Sequence, residues 1–137
     1  IYVYRGWLVP RNSYFNWEAI VEPLFSVFGK DRFIFGMGEK IEDVYENFYK
    51  ECFVYLKPND RGGSTTMWEL GSMGRVTIAN NQGPAPNVRG YNDIHDIINI
   101  IQEEAEKIGT VQQELSDKVK QHLGIDERWL STNYWNE

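Results

Sequence analysis

The stretch Arg32–Tyr45, "RFIFGMGEKIEDVY", joins a short apolar run to the start of a helical pattern. Its first part, Phe33-Ile34-Phe35, is typical of a buried strand, and Gly36-Met37-Gly38 follows at once. Two glycines between a strand and a helix predict either a loop that grips phosphate or a tight turn. The choice between them decides whether the chain is interpreted as a nucleotide-binding enzyme.

The neighbouring residues favour the turn. A dinucleotide-binding loop places a third glycine against the helix, and here that position is Ile41, whose side chain is too large. Glu39 would bring negative charge to the place where phosphate belongs. No second strand–helix–strand unit is evident after this stretch. We therefore expect Gly36 and Gly38 to supply unusual backbone angles in a turn, and we expect no cofactor.

Length and composition predict one domain, residues 1–137, in which 125–137 form an aromatic C-terminal tail. Hydrophobic residues make up 42% of the chain, which excludes a disordered protein. The single cysteine, Cys52, excludes an internal disulfide and a cysteine-based zinc site, and it fits a small core residue. No apolar run is long enough for a membrane helix, so no membrane partner is expected.

The net charge of −6 lies in the C-terminal third of the chain. The span 93–127 holds nine acids and three bases, so it carries the whole −6. Such a face repels a phosphate backbone, and nucleic acid is not expected as a partner. A solvated helix surface is the simpler interpretation, and a docking face for a basic partner is the alternative.

The apolar patterns predict a mixture of strands and helices. Expected strands are Ile1–Val9, Arg32–Phe35, Cys52–Lys57, Ser64–Leu70 and Arg75–Asn80, the last two of which could be one strand bulged at its glycines. A helix over Trp17–Phe28 would be capped by Asn16 and closed by Gly29, and Pro23 would either kink it or start a second short helix. Glu39–Tyr49 also has helical spacing. The proline- and glycine-containing stretch "NNQGPAPNVRGYN" predicts irregular structure.

The C-terminal third has the clearest helical pattern. Asp93 or Asn92 caps a helix with one apolar stripe, Ile94, Ile97, Ile98, Ile101, Ala105 and Ile108. A second helix follows Thr110 and ends at Gly124. These elements together predict an α+β fold: a small mixed or antiparallel sheet packed by a long C-terminal amphipathic helix and an N-terminal helix.

No convincing catalytic set emerges, so an enzyme is not expected. His95, Asp96, Asn99 and Glu103 could share one helical face, but only His95 is a good metal ligand, and no metal is predicted. His122 near a helix end is most simply a favourable charge against the helix dipole. The interface candidates are two loop arginines and the apolar side chains of the tail: Arg61, Arg89, Trp129, Leu130, Tyr134 and Trp135.

Four stretches, "EPLFSVFGKDRFIFG", "CFVYLKP", "STTMWELGSMGRVTIAN" and "DIHDIINIIQEEAEKI", occur in an order that resembles bacteriophage tail-terminator, or tail-completion, proteins over about residues 17–108. The resemblance implies a structural protein of the virion, assembled in the host cytoplasm. It implies a homo-oligomeric ring, such as a hexamer, that caps the tail tube and contacts other tail and neck proteins. Two departures are the helical spacing of Glu39–Tyr49 and a final helix where the family has a strand.

Two other roles remain open. One is a small acidic binding or inhibitor protein, phage- or host-encoded and cytoplasmic, that docks on a protein partner through its acidic helix. The other is an enzyme whose site is assembled from dispersed residues.

Overall fold

Five short strands pair in parallel and form one sheet in the order β2-β1-β3-β4-β5. The computed structural model describes residues 1–4, 17–36, 41–57, 64–80, 83, 85–108 and 112–124. Its strands are β1 (Tyr2–Tyr4), β2 (Ile34–Gly36), β3 (Val54–Leu56), β4 (Val76–Ala79) and β5 (Val88–Gly90).

Helices connect or follow most of these strands. They are α1 (Glu22–Phe28), α2 (Ile41–Val44), α3 (Ser64–Ser72), α4 (Ile94–Ala105) and α5 (Gln113–His122). A π-helical segment, Trp17–Val21, leads into α1, a second one, Tyr45–Tyr49, continues α2, and a 3₁₀ turn, Lys30–Arg32, precedes β2. From β1 to β4 a helix therefore lies between each strand and the next, whereas β5 follows β4 with no helix described between them.

The predicted mixed or antiparallel sheet is wrong. Every pairing in the sheet is parallel. Parallel neighbours cannot be joined by a hairpin, so each needs a crossover connection, which is usually helical. The predicted long C-terminal helix is also wrong, because α4 ends at Ala105 and does not reach Ile108. The second helix expected after Thr110 is present as α5, which packs on α3.

Both faces of the sheet are covered. Successive residues of β3 point to opposite faces, as the pleat requires: Val54 and Leu56 enter one core, and Tyr55 enters the other. The first core also contains residues of α1 and α4, including Leu24, Ile97, Ile100 and Ile101. The second contains Tyr2, Tyr49, Cys52 and Leu70, with Val44, Phe48, Met67 and Met73 against it. The helical layers thus lie on opposite sides of the sheet.

Two predicted local structures are wrong because tertiary context prevails over local propensity. The segment Ser64–Leu70 has β-branched residues typical of a strand, yet it belongs to α3, the crossover between β3 and β4. The segment expected to be irregular contains β5, whose Val88 pairs with Thr77 of β4. Local strand and turn signals identify neither the elements that α3 connects nor the strand that pairs with β5.

Several predicted terminators are confirmed. Pro23 lies in the first turn of α1, so the helical pattern breaks there into two pieces. Gly29 closes α1 with a φ of 90°, a conformation that favours glycine. The Asp93 side chain caps α4 by accepting a hydrogen bond from the Asp96 backbone N–H at 3.0 Å. Cys52 is a buried core residue, as expected.

The apolar stripe of α4 is rotated from the predicted one. Ile97 and Ile101 are buried, but Ile100 is buried as well, and Ile94 and Ile98 are only partly covered. Ile108 lies beyond the helix and is 61% exposed. The stripe therefore faces the sheet through its central residues alone.

Replacement of Ile101, which is 1% exposed, by alanine should lower the free energy of unfolding by about 2–5 kcal/mol through lost burial and a residual cavity. Ile108→Ala removes the same atoms from an exposed site and should change it by less than about 0.5 kcal/mol. Chemical denaturation of both variants tests this. Equal losses would show that α4 is docked differently.

Candidate functional site

The five strands end level with one another along one edge of the sheet. Gly36 pairs with Tyr4, and continuing the Tyr2–Tyr55 register by two residues sets Tyr4 beside Lys57. The Leu56–Ile78 and Ala79–Gly90 pairs extend the row to β5. In open parallel sheets ligands bind outside the carboxyl ends of the strands, where the strand order reverses. That reversal lies between β1 and β3, so this carboxyl edge is the candidate site.

Lys57 leaves the end of β3 at this edge. Because side chains alternate along a strand, Lys57 lies on the same face as Tyr55, the face that α3 covers. Its backbone N–H donates to the Ile78 carbonyl at 2.8 Å, which keeps it in line with β4.

The two long helices that begin at this edge differ in their electrostatics. At α4, the Asp96 carboxylate accepts from the Asn92 backbone N–H at 2.8 Å while Asp93 caps the helix, so two acids occupy its start. The first turn of α3 contains no acid. Its start has three hydroxyl residues in sequence, Ser64, Thr65 and Thr66. Since backbone N–H groups at a helix start attract anions, α3 is the start that can take a phosphate.

Glu69 lies on the second turn of α3 and is partly buried. Among the residues that the structure describes, no lysine or arginine forms an ion pair with it. Its carboxylate and the side chain of Thr66 both act on the Tyr49 phenol, which therefore lies close to this face of α3. Burial raises the pKa of Tyr49 well above its ordinary value, and this phenol therefore stays protonated.

Gly36 closes the β2 end of the row, and its role is steric. A Cβ on Gly36 would lie 2.5 Å from the Tyr2 hydroxyl oxygen and 3.1 Å from its ring. Its φ is not positive, so the expected unusual backbone angle is wrong for Gly36. Gly38 lies outside the described residues. The glycine is needed at position 36 because the Tyr2 ring fills the space beside it.

Most of the predicted interface residues fall outside the described residues: Arg61, Trp129, Leu130, Tyr134 and Trp135. Arg89 lies in β5 rather than on a loop. Its guanidinium bonds Glu103 at 2.6 Å and Glu104 at 3.3 Å, so it ties β5 to α4. The acidic helix surface is thereby partly neutralised within the molecule.

The two histidines are not brought together. His95 is exposed on α4, and no cluster of metal-ligating residues forms within the part of the chain that the structure describes. The His122 ring stacks on Trp68 of α3, with ring centroids 5.4 Å apart. His122 thus has a packing role in addition to the expected place at a helix end.

Two hollows lie at the opposite, amino-terminal edge. The larger, about 490 Å³, is mostly apolar and lined by Ile1, Phe28, Phe53, Ile101, Ala105 and Ile108 among others. The other, about 310 Å³, includes Arg75 and Lys107. Arg75 is held by the Cys52 and Met73 carbonyls, and Lys107 by Glu104. Both of these cations in the smaller hollow are therefore engaged with the protein itself.

The sequence analysis did not identify four residues as belonging to the site: Lys57, Thr66, Glu69 and Tyr49. A usable signal was present, because Gly62-Gly63-Ser64 followed by two threonines can precede a helix as well as a strand. Tyr49 is 20 residues from Glu69, and no local pattern links them.

Comparisons with protein-family models, curated proteins and solved structures found no match for this chain. Of the helices in the described part of the chain, none combines the length and apolar character needed to cross a bilayer.

Gly36→Ala should lower the free energy of unfolding by about 1–3 kcal/mol, because its Cβ would overlap the buried Tyr2 hydroxyl. The double variant Gly36→Ala/Tyr2→Phe removes that oxygen and should lose less than the sum of the two single changes. Urea denaturation of the four proteins checks this. Simple additivity would mean that Gly36 does not pack on Tyr2.

Cys52 should react slowly in the folded protein. Burial raises the pKa of its thiol from the ordinary 9.0 to about 11, which lowers the thiolate fraction at pH 8 by about a hundredfold. Labelling with a thiol-reactive disulfide should therefore be at least that much slower than for the same chain in denaturant. Similar rates in both states would place Cys52 at the surface.

Proposed function

We propose that this chain is a nucleotide-binding domain whose ligand is a nucleotide-activated sugar, and that it serves an enzyme of glycosyl transfer. The observation that carries the proposal is the level carboxyl edge of the parallel sheet, with a helix start free of acids beside the point where the strand order reverses. Nucleotides bind at this position in doubly wound sheets.

The start of α3 and Lys57 provide for the diphosphate. Backbone N–H groups and hydroxyls at a helix start donate to phosphate oxygens, and a nearby ammonium adds a point charge. The sequences that follow β1 and β3 are also basic: residues 5–16 hold two arginines and no acid, and residues 57–63 hold two bases and one acid. The chain as a whole is acidic, so this local excess of positive charge is notable.

Glu69 suits the ribose of the same ligand. In dinucleotide-binding sheets a carboxylate accepts hydrogen bonds from ribose hydroxyls. Glu69 is five residues after Ser64, which is about 7.5 Å along a helix, a spacing comparable to that between a diphosphate and the ribose diol. With no described cation to neutralise it, its carboxylate retains acceptor capacity for a diol.

The sugar is inferred from the amides that follow β4. Asn80 is exposed at the edge, and the sequence continues with Asn81 and Gln82. A side-chain amide donates and accepts at once, which matches the paired hydroxyls of a sugar. Since β4 lies next to β3, this amide segment begins beside the strand that leads to the α3 start.

The described residues offer no nucleophile with an adjacent base at this edge. Metal-assisted chemistry based on strand-end carboxylates is also disfavoured, because the terminal row is Gly36, Tyr4, Lys57, Ala79 and Gly90. The domain is therefore proposed to bind and orient the activated donor. The acceptor and any catalytic base would approach the donor from the solvent side of the carboxyl edge.

The tail-terminator role stays a prediction, with weaker support than before. The resemblance treated "STTMWELGSMGRVTIAN" as one central strand, whereas this stretch forms α3 and then β4. The acidic inhibitor role is also less favoured, since Asp93 and Asp96 cap α4 and Glu104 is buried between Arg89 and Lys107. Neither role is supported by a specific feature of the carboxyl edge.

The test is calorimetric titration of the chain with UDP, GDP and ADP and with UDP-glucose, GDP-mannose and ADP-glucose. At least one of these should bind with a dissociation constant below about 1 mM. Glu69→Gln should weaken that binding by about ten- to a hundredfold, the value of charge-assisted hydrogen bonds.

Glu114→Gln is the matched control, because it removes the same charge from an exposed position on α5 and should leave affinity unchanged. The proposal fails if no nucleotide binds, or if both variants weaken binding equally.

A further inference from the structure

Arg75 is held in one orientation at the amino-terminal edge of the sheet, where the chain turns from α3 into β4. Its guanidinium donates from Nε to the Cys52 carbonyl at 3.1 Å and from Nη1 to the Met73 carbonyl at 2.7 Å. Its backbone N–H donates to the Leu70 carbonyl at 2.9 Å. A side chain that is fixed at its backbone and at its head group loses little further freedom when it binds a ligand.

The positive charge of Arg75 has no opposite charge paired with it within the described ranges. A guanidinium carries five N–H donors in a rigid fork, and the two carbonyls accept from only two of its three nitrogens. None of the ion pairs formed among the described residues includes Arg75. The side chain is partly buried, so water screens its charge incompletely. A preorganised guanidinium of this kind favours an anion as its partner.

The smaller hollow, of about 310 Å³, lies against this guanidinium and has a net positive lining. Its charged described side chains are three bases and two acids, Lys50, Glu51, Arg75, Glu104 and Lys107. Glu104 is paired with Lys107 at 3.0 Å and with Arg89 at 3.3 Å, and Lys50 is paired with Glu46 at 3.1 Å. Arg75 is therefore the cation of this hollow whose charge is left for a ligand.

The larger, mostly apolar hollow adjoins the smaller one. Phe53 and Ile108 line both, so the two hollows meet at these side chains. The volume of the larger hollow, about 490 Å³, lies within the range of small-molecule sites, which combine apolar walls with a few polar groups. Ile108 is 61% exposed, and covering its side chain with an apolar group removes that surface from water.

We propose that the amino-terminal edge is a second binding site, which takes a small monocarboxylate with an apolar body. The carboxylate lies against the Arg75 guanidinium, and the apolar body passes between Phe53 and Ile108 into the larger hollow. A net lining charge of +1 balances one carboxylate, whereas a phosphate group carries about −1.5 to −2 and would be repelled by Glu51. The site is at the opposite edge from the proposed nucleotide site and does not depend on it.

The experiment is calorimetric titration of the chain at neutral pH with octanoate, acetate and octylammonium. Octanoate should bind with a dissociation constant below about 1 mM. Each CH₂ added between butanoate and octanoate should tighten binding by about fourfold, which corresponds to about 0.8 kcal/mol of burial. Acetate has no chain to bury and should bind at least about a hundredfold more weakly than octanoate. Octylammonium has the same chain with the opposite charge and should show no binding.

Arg75→Gln should weaken octanoate binding by about ten- to a hundredfold, because it removes charge-assisted hydrogen bonds. Lys118→Gln is the matched control. It removes the same charge from an exposed position on α5 that lines neither hollow, so it should leave octanoate affinity unchanged.

Ile108→Asp is the variant to use if Arg75→Gln does not fold. It places a negative charge where the two hollows meet, at a position exposed enough to spare the core, and should weaken octanoate binding at least about tenfold. Leu123→Asp makes the same change at an exposed leucine that lines neither hollow and should leave the affinity unchanged.

The outcomes separate this site from the proposed function. A wild type that does not bind octanoate, or that binds octylammonium equally well, would overturn the inference. Unchanged affinity in folded Arg75→Gln would overturn it as well, and tighter binding of octyl phosphate than of octanoate would overturn the choice of a carboxylate. Octanoate binding that depends on Arg75, in a chain that binds no nucleotide, would support this site while the proposed function fails.

Discussion

The parallel pairing of β3 with β1 on one side and β4 on the other is the constraint on which the other elements depend. Parallel strands cannot be joined by tight turns, so the chain must return to the amino edge after each one. The returning helices bury both faces of β3, and all three of its residues are buried for that reason. The same constraint brings the carboxyl ends of five strands to one edge.

That edge is chemically different from the rest of the molecule. The C-terminal helices carry the acidic excess of the sequence, and much of it is engaged by Arg89, Lys107 and the capping of α4. At the carboxyl edge, the first turn of α3 has no acid of its own, and Lys57 follows the end of β3. Of the starts of α3 and α4, only that of α3 is therefore free of acids. This asymmetry, and not a glycine motif, is what favours a phosphate-bearing ligand.

The glycine stretch between β2 and α2 shows that a glycine in a motif can have a packing role instead of the ligand-binding role that its pattern suggests. The missing third glycine and Glu39 argued against phosphate at this loop, and the contact of Gly36 with Tyr2 gives that glycine a packing role. The phosphate site that we propose is instead at the start of α3, which follows Gly62-Gly63 in the sequence. The phage resemblance had a similar weakness, because it depended on treating α3 and β4 as a single strand.

The sequence by itself determined the local features that depend on near neighbours. The break at Pro23, the close of α1 at Gly29, the Asp93 cap of α4 and the burial of Cys52 were all predictable, because backbone geometry and side-chain chemistry at those points act over a few residues. The tertiary structure alone decided that Ser64–Ser72 is a helix, that Val88–Gly90 is a strand and that all pairings are parallel. Strand direction and the meeting of Tyr49 with Glu69 are set by contacts distant in sequence, and burial of both sheet faces provides free energy that local propensity cannot match.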